Sequence, residues 1–83
     1  MGEVILVFKV MPTDMEHYEQ IRKDLEKLEP ERLEEEDVAF GLKAFKFTKI
    51  VEDAEGTVDK VEADLISIEN VQDVETVAVS RGF

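Results

Sequence analysis

The chain has 83 residues, no Cys and a formal net charge of −11, because 21 Asp and Glu face only 10 Lys and Arg. A chain of this length is predicted to form one small domain over residues 1–83, with no room for both a core and a large cofactor cavity. The lack of Cys excludes disulfides, thiolate nucleophiles and Cys-based zinc sites. The negative charge disfavours nucleic acid and anionic lipid and favours a basic protein partner, or it serves only solubility.

No segment indicates membrane insertion or export. No apolar run approaches the roughly 18 residues of a membrane span, and the N-terminus lacks the basic region and cleavage site of a secretory signal. The sequence therefore predicts a cytoplasmic location.

The spacing of apolar residues changes from that of a strand to that of a helix between residues 3 and 28. Residues 3–11 carry apolar side chains on both faces of an extended chain, which is typical of a central strand, and Pro12 ends it. Thr13 and Glu16 then match a capping box, in which a hydroxyl and a carboxylate satisfy free amides at a helix start. The helix should follow directly and stop before Pro30. Its apolar stripe consists of Tyr18, Ile21, Leu25 and Leu28.

The most acidic run, residues 31–37, is predicted to be an edge strand or a loop. Charge along an edge discourages strand addition by other chains, so the run needs no further function. A metal site is the alternative, but the run lacks the interspersed spacing and the turn Gly of a calcium loop. We therefore predict no metal.

The second half of the chain repeats the pattern of the first. Residues 42–51 alternate as a third strand, whose buried face carries Phe45, Phe47 and Val51. Lys49 falls on that same face, so its amine must reach past the core to the surface, or the strand must bulge there. Thr57 is predicted to cap a second helix with the stripe Val58, Val61, Leu65 and Ile68. A fourth strand follows Asn70, supported by Val71, Val74, Thr76, Val77 and Val79.

The order strand, helix, strand, strand, helix, strand predicts an α+β fold. It is the ferredoxin-like βαββαβ sandwich, with a four-stranded antiparallel sheet and two helices on one face. Strands one and three are central in this topology, which agrees with the apolar first strand and the acidic second strand. The other sheet face stays open. The fold alone does not determine the function, because it hosts RNA binders, metal carriers, ligand sensors and enzymes.

A small-residue corner between the acidic run and the third strand is the candidate binding site. Gly41 supplies backbone freedom for a sharp turn or for the close approach of a partner. Phe40, directly before it, is either one more core aromatic or an exposed anchor. We predict an exposed anchor, because Phe45 and Phe47 already occupy the buried face of the strand.

The sequence offers no recognisable catalytic constellation. Its one His, His17, lies one residue off the apolar stripe of the first helix and pairs with no nucleophile, and the carboxylates form no specific pair. Residues 11–14 lack the glycines and the Arg of a phosphate-binding loop. Phe8 and Tyr18 fall on core faces and not on a basic RNA-binding face. We predict no catalytic residue, no cofactor and no direct contact with nucleic acid or membrane.

Four short motifs occur in the order found in one known family. They are Val10-Met11-Pro12 at the end of the first strand, Ala39-Phe40-Gly41-Leu42 at the corner, Val51-Glu52-Asp53 after the third strand and Asn70-Val71-Gln72 before the fourth. Together, over the whole chain, they resemble archaeal elongation factor 1-beta. The resemblance implies a guanine nucleotide exchange factor, not an enzyme with covalent chemistry. It would promote GDP release from elongation factor 1-alpha, the GTPase that carries aminoacyl-tRNA, in its GDP-bound or nucleotide-free form.

The resemblance also implies partner-binding residues. Phe40, before Gly41, matches a Phe that docks into the GTPase in eukaryotic relatives. Counting without gaps from the motif before the fourth strand places Arg81 where those relatives carry a Lys that reaches the magnesium and phosphate region. Here Arg replaces that Lys and two residues follow it. Arg81 is therefore either a forked partner contact or a terminal charge.

A ligand-sensing regulatory module on the same fold is the alternative function. Such modules usually occur attached to another domain. The sequence shows no linker and no second domain, which favours a free-standing factor that acts on a partner.

Overall fold

The computed structural model describes residues 2–81, so Met1, Gly82 and Phe83 lie outside the described residues. The elements follow one another in the predicted order, and the ferredoxin-like α+β class is confirmed. The elements are β1 (Glu3–Pro12), α1 (Tyr18–Glu26), β2 (Arg32–Asp37), a 3₁₀ turn (Ala39–Gly41), β3 (Lys43–Glu52), α2 (Thr57–Ile66) and β4 (Val71–Arg81).

The four strands form one sheet in the order β2-β3-β1-β4, and every neighbouring pair is antiparallel. The apolar strand β1 and strand β3 are central, while the acidic strand β2 lies at an edge, as the sequence predicts. No helix within residues 2–81 is long and apolar enough to cross a membrane.

One hydrophobic core lies between the sheet and both helices. Alternate residues of the central strands meet the predicted helix stripes in a single cluster, so both helices cover the same sheet face. Each large side chain buried there stabilises the fold by about 1.5–3 kcal/mol. The cluster consists of Val4, Leu6, Phe8, Val10, Tyr18, Ile21, Leu25, Phe45, Phe47, Val61 and Leu65.

The predicted capping box at the start of α1 is wrong. The backbone N–H of Thr13 donates to the carbonyl oxygen of Asn70 at 2.8 Å, which holds residue 13 against the start of β4. The chain then turns, with the N–H of Glu16 donating to Oδ1 of Asp14 at 3.0 Å. No side chain caps α1, which begins only at Tyr18. A tertiary hydrogen bond thus displaces the local capping motif.

The predicted cap of α2 is also wrong. Thr57 is the first helical residue, and Gly56 precedes it with φ 79° and no side-chain cap. Gly adopts this left-handed conformation without the steric penalty of a Cβ. The direction of entry into α2 therefore depends on Gly56 and not on the Thr57 hydroxyl.

Lys49 reaches past the core to the end of α1. Its Nζ donates to the carbonyl oxygens of Leu28 at 2.7 Å and Glu29 at 3.2 Å. Both carbonyls follow Glu26, the last residue of α1, so a cation that donates to them lies near the negative end of the helix dipole, where it is stabilising. The register between β1 and β3 runs without interruption past Lys49, which rules out the predicted alternative of a bulge.

Candidate partner-binding site

Phe40 lies at the tip of the β2–β3 hairpin. Asp37 and Lys43 form the last strand pair, and the N–H of Val38 donates to the carbonyl oxygen of Leu42 at 2.8 Å, which closes the loop. The ring projects away from this loop and is 99% exposed. The prediction of an exposed ring is confirmed, and the alternative of a core aromatic is wrong.

The backbone at the tip is left-handed at consecutive residues. Phe40 has φ 61° and ψ 36°, which costs a non-Gly residue about 1–2 kcal/mol. Gly41 follows with φ 74°, and a Cβ added to it would meet no atom within 4 Å, so the position requires Gly for its conformation and not for space. The folded chain gains no burial from the Phe40 ring that would offset this strain. Such strain in an exposed aromatic is typical of a functional site.

Contacts at its base hold the hairpin against α1 and the preceding loop. The backbone N–H of Lys43 donates to Sδ of Met15 at 3.4 Å. Nζ of Lys43 lies 3.9 Å from Glu35, and Nη1 of Arg22 lies 3.5 Å from the other oxygen of the same carboxylate. The base is therefore attached at several points, while the Phe40 ring remains in solvent.

The acidic run divides between two environments. Within residues 2–81, Glu35 is the only acidic side chain of the run that forms an ion pair, and it points towards α1. Its neighbours Glu34, Glu36 and Asp37 are exposed. The edge-strand prediction for residues 31–37 is confirmed, because β2 covers Arg32–Asp37 and is the outermost strand of the sheet.

Tyr18 packs beneath Glu35. Its ring stacks on Phe45 with the centroids 4.4 Å apart and an interplanar angle of 17°. Burial raises the pKa of Tyr18 to about 12, and the negative charge of Glu35 adds to the rise. The Tyr18 hydroxyl and Nε of Arg22 are buried without a hydrogen-bond partner among the described residues. Tyr18 is therefore a neutral core residue at physiological pH and unsuited to acid–base chemistry.

The loop before α1 groups possible metal ligands. Ligand atoms of Asp14, Glu16 and His17 lie within 4.8 Å of one another. The same Asp14 oxygen accepts the Glu16 N–H at 3.0 Å and lies 3.3 Å from Nδ1 of His17, so these contacts already form the turn into α1. The cluster carries no metal assignment, and the absence of a metal stays a prediction.

Arg81 ends β4 and is held by an acidic side chain. Its Nη1 lies 2.6 Å from Oδ1 of Asp53, in the loop between β3 and α2. The Arg81 side chain is still 56% exposed. Arg81 is therefore paired within the folded domain, and its role as a partner contact stays a prediction. The sequence contains Asp53 in one of its family-like motifs, but nothing local predicts the pairing, because the two residues are brought together across β1.

Phe40 and Arg81 lie at opposite ends of the sheet. Arg81 is opposite Val4 of β1, while Phe45, near the base of the hairpin, is opposite Val10. The stretch of β1 from Val4 to Val10 rises about 20 Å at roughly 3.3 Å per residue. The structure does not bring the predicted partner-binding residues into one pocket. A partner that contacts both must cover the length of β1.

The sheet face opposite the helices is open, as predicted. A row of charged side chains crosses it, because strand pairing places them directly opposite one another: Glu34, Lys46, Lys9 and Glu75. The aromatic side chains within residues 2–81 lie in the core or at Phe40. This face therefore lacks the stacked aromatics with which sheets of this fold bind single-stranded RNA.

Comparisons with known proteins agree with one family along the chain. The family described as "EF-1 guanine nucleotide exchange domain" matches residues 5–81. An elongation factor 1-beta of Thermoplasma acidophilum is 37% identical, with 96% of this chain and 98% of the relative aligned. An elongation factor 1-beta of Methanothermobacter thermautotrophicus is 36% identical, with 98% of this chain and 98% of the relative aligned. One of Thermococcus gammatolerans is 38% identical, with 94% of this chain and 93% of the relative aligned. Phe40, Gly41 and Arg81 all lie within the matched range.

Proposed function

Because this chain belongs to the family of EF-1 guanine nucleotide exchange domains, we propose that residues 1–83 form one exchange domain that promotes GDP release from elongation factor 1-alpha in the cytoplasm. The observation that carries the proposal is the Phe40 ring, which is 99% exposed on a left-handed backbone. Such an exchange factor acts through binding and uses no covalent step. Its partner is the GTPase, in the GDP-bound or nucleotide-free form.

The mechanism is a linkage between two ligands of the GTPase. A protein that binds the nucleotide-free GTPase more tightly than the GDP-bound form must weaken GDP binding by the same factor. Each tenfold difference corresponds to about 1.4 kcal/mol. The exchange factor therefore needs contacts that the GTPase makes better after GDP has left.

Phe40 supplies the first of these contacts. Buried aromatic anchors at the centre of an interface commonly contribute about 2 kcal/mol or more. The ring is already extended from the hairpin in the free protein, so docking does not require it to leave a core. Docking also accounts for the strained backbone of Phe40. Burial of the ring in the partner offsets the conformational energy of the left-handed backbone, which no contact in the free domain offsets.

Arg81 supplies the second contact. A guanidinium grips a carboxylate or phosphate oxygen pair with two parallel hydrogen bonds, which suits a site near bound nucleotide. A standard interface covers about 800 Å² per partner, or a patch about 30 Å across. Phe40 lies beyond Phe45 at the hairpin tip, so its distance from Arg81 exceeds the roughly 20 Å of β1 between Val4 and Val10. An interface that includes both contacts must therefore extend across the full width of such a patch.

The experiment that tests the proposal is release of fluorescently labelled GDP from elongation factor 1-alpha of the same organism, with and without this protein. We expect faster release at micromolar protein. Ile66→Ala, which truncates another exposed apolar side chain (47% exposed), is a control for general surface hydrophobicity and should exchange like wild type. No acceleration by the wild-type protein would contradict the proposed function.

A further inference from the structure

Asp53 and Arg81 form the shortest ion pair within residues 2–81. Nη1 of Arg81 lies 2.6 Å from Oδ1 of Asp53, whereas the other ion pairs span 3.3 to 3.9 Å. The pair connects the end of β4 to the loop after β3, and β1 runs between them in the sheet. It therefore joins two parts of the chain that β1 separates.

Backbone hydrogen bonds tie Asp53 to the start of the chain. Its N–H donates to the carbonyl oxygen of Gly2 at 2.9 Å, directly beyond the last β1–β3 pair, Glu3 with Glu52. The N–H of Ala54 then donates to the carbonyl oxygen of Glu52 at 2.9 Å, which makes a tight turn. The Asp53 side chain is only 34% exposed. The carboxylate is therefore carried by a backbone segment that is hydrogen-bonded to the residue before β1.

Arg81 is oriented by this contact but not masked by it. A guanidinium has five N–H donors, and the ion pair with Asp53 engages Nη1. Among the described residues, no other side chain pairs with Arg81, and its side chain is 56% exposed. The donors that remain can bind an acceptor outside this chain.

We propose that Asp53 is a positioning residue that holds the Arg81 guanidinium in the orientation in which it meets an anionic acceptor of the GTPase. This inference rests on the proposed function. A long side chain that is already ordered loses less rotamer freedom on binding, which corresponds to about a two- to tenfold gain in affinity. Asp53 thus affects exchange only through Arg81.

The test is a double-mutant cycle in the GDP-release assay at subsaturating protein. Asp53→Ala should slow exchange about two- to tenfold, and it should have no further effect when combined with Arg81→Ala. Glu55→Ala is the matched control, because Glu55 lines the same surface depression as Asp53 and Arg81. This substitution removes one negative charge, as Asp53→Ala does. It should exchange like wild type.

A measurement on the free protein separates positioning from mere stability. The heteronuclear NOE of the Arg81 Nε–H group should fall in Asp53→Ala and stay at its wild-type value in Glu55→Ala. Urea unfolding shows whether the variants are folded, and Asp53→Asn, which keeps the side-chain shape, replaces Asp53→Ala if the latter unfolds.

Each alternative outcome has a distinct meaning. If Asp53→Ala exchanges GDP as fast as wild type or faster, the positioning role is overturned. It is also overturned if Asp53→Ala slows exchange by the same factor whether or not Arg81 is present. If Arg81→Ala exchanges like wild type, Arg81 is not a contact and the inference fails, while the hairpin-based function stands. If the wild-type protein does not accelerate GDP release, both fail.

Discussion

Phe40 has a conformation that the folded domain does not explain. Its left-handed backbone costs about 1–2 kcal/mol, and its ring is exposed and packs against no core residue. The other large apolar side chains at the surface of residues 2–81 are only partly exposed, from 37% at Leu42 to 54% at Val77. The combination of strain and full exposure distinguishes Phe40 from ordinary surface hydrophobics and motivates a direct test.

We expect Phe40→Ala to separate stability from exchange. The free energy of unfolding should stay within about 0.5 kcal/mol of wild type. The ring is exposed to solvent in both the folded and the unfolded state, and Ala has the same backbone cost in the left-handed conformation. GDP release should slow at least about tenfold, the effect of losing roughly 1.4 kcal/mol or more of binding to the nucleotide-free GTPase. Denaturant unfolding and GDP-release kinetics on the same preparation measure both.

Phe45→Ala is the internal control for Phe40→Ala. Phe45 is fully buried and stacks on Tyr18, so truncation should cost about 3–5 kcal/mol of the roughly 5–15 kcal/mol available to a domain. If Phe40→Ala exchanges GDP at the wild-type rate, the ring is not the anchor.

Tyr18 gives a second prediction at the level of a single residue. Its buried hydroxyl has no hydrogen-bond partner by geometry, so Tyr18→Phe removes an unsatisfied polar group. We expect the stability at pH 7 to be unchanged or raised by up to about 1 kcal/mol in urea unfolding. A loss of more than about 1 kcal/mol would instead show that the hydroxyl bonds to Glu35.

The pH dependence of the same variant follows from the pKa. The folded pKa of Tyr18 is raised to about 12, above its ordinary value of 10.0, so folding favours the neutral phenol. The stability that comes from keeping Tyr18 neutral is therefore fully present below pH 10. It is lost as the pH rises towards 12, which lowers the free energy of unfolding by about 2–3 kcal/mol. Tyr18→Phe should lack this loss. Parallel wild-type and variant curves between pH 9 and 12 would contradict the raised pKa.

At the level of elements, the hairpin combines a charged edge with a projecting tip. The side chains of β2 alternate, so Leu33 and Glu35 face the helices while Glu34 and Glu36 face solvent. The outward carboxylates discourage pairing with another strand at this open edge. The edge can thus present Phe40 to a partner without inviting aggregation.

The attachment of α1 to the sheet depends on Lys49. Lys49→Met keeps the apolar stem but removes the donor to the carbonyls of Leu28 and Glu29. We expect a loss of about 1–2 kcal/mol in urea unfolding, because charge-assisted hydrogen bonds at a helix end are removed. Amide hydrogen exchange should also quicken in the last turn of α1.

Lys46→Met is the matched control for Lys49→Met. Lys46 lies in the same strand, but it is exposed on the open face and forms no ion pair within residues 2–81. Its replacement should change stability by no more than about 0.5 kcal/mol. Equal losses in the two variants would show that the helix-end contact is not what stabilises the fold.

At the scale of the whole molecule, shape and charge act together. The domain extends 41 × 21 × 17 Å, and Phe40 and Arg81 lie towards opposite ends of the sheet. A partner that engages both must lie along the molecule. The net charge of −11 surrounds these two residues with a negative field that attracts a basic surface.

We expect this field to set the rate of encounter with the GTPase. The association rate constant should fall at least about threefold between roughly 20 and 200 mM salt, because the screening length shortens from roughly 20 Å to roughly 7 Å over this range. Stopped-flow binding to nucleotide-free elongation factor 1-alpha measures the constant. A rate that does not change with salt would mean that the charge serves only solubility. Tight binding of free tRNA would contradict the expected repulsion of nucleic acid.

The sequence by itself determines the order of the elements and the central and edge strands, and it favours an exposed Phe40. These features depend on neighbouring residues. Alternation in residues 3–11 marks a strand that is apolar on both faces, and the acidic run before Phe40 marks an edge. Gly41 marks the corner, because it tolerates a left-handed backbone.

Only the tertiary structure decides the contacts between distant parts of the chain. The capping motif at Thr13 fails because its N–H is taken by Asn70, a residue from the other half of the chain. Asp53 and Arg81 are 28 positions apart and meet only because β1 pairs with both β3 and β4 in a particular register. Local propensity contains no information about that register, which is selected by burying one face of β1 against both helices.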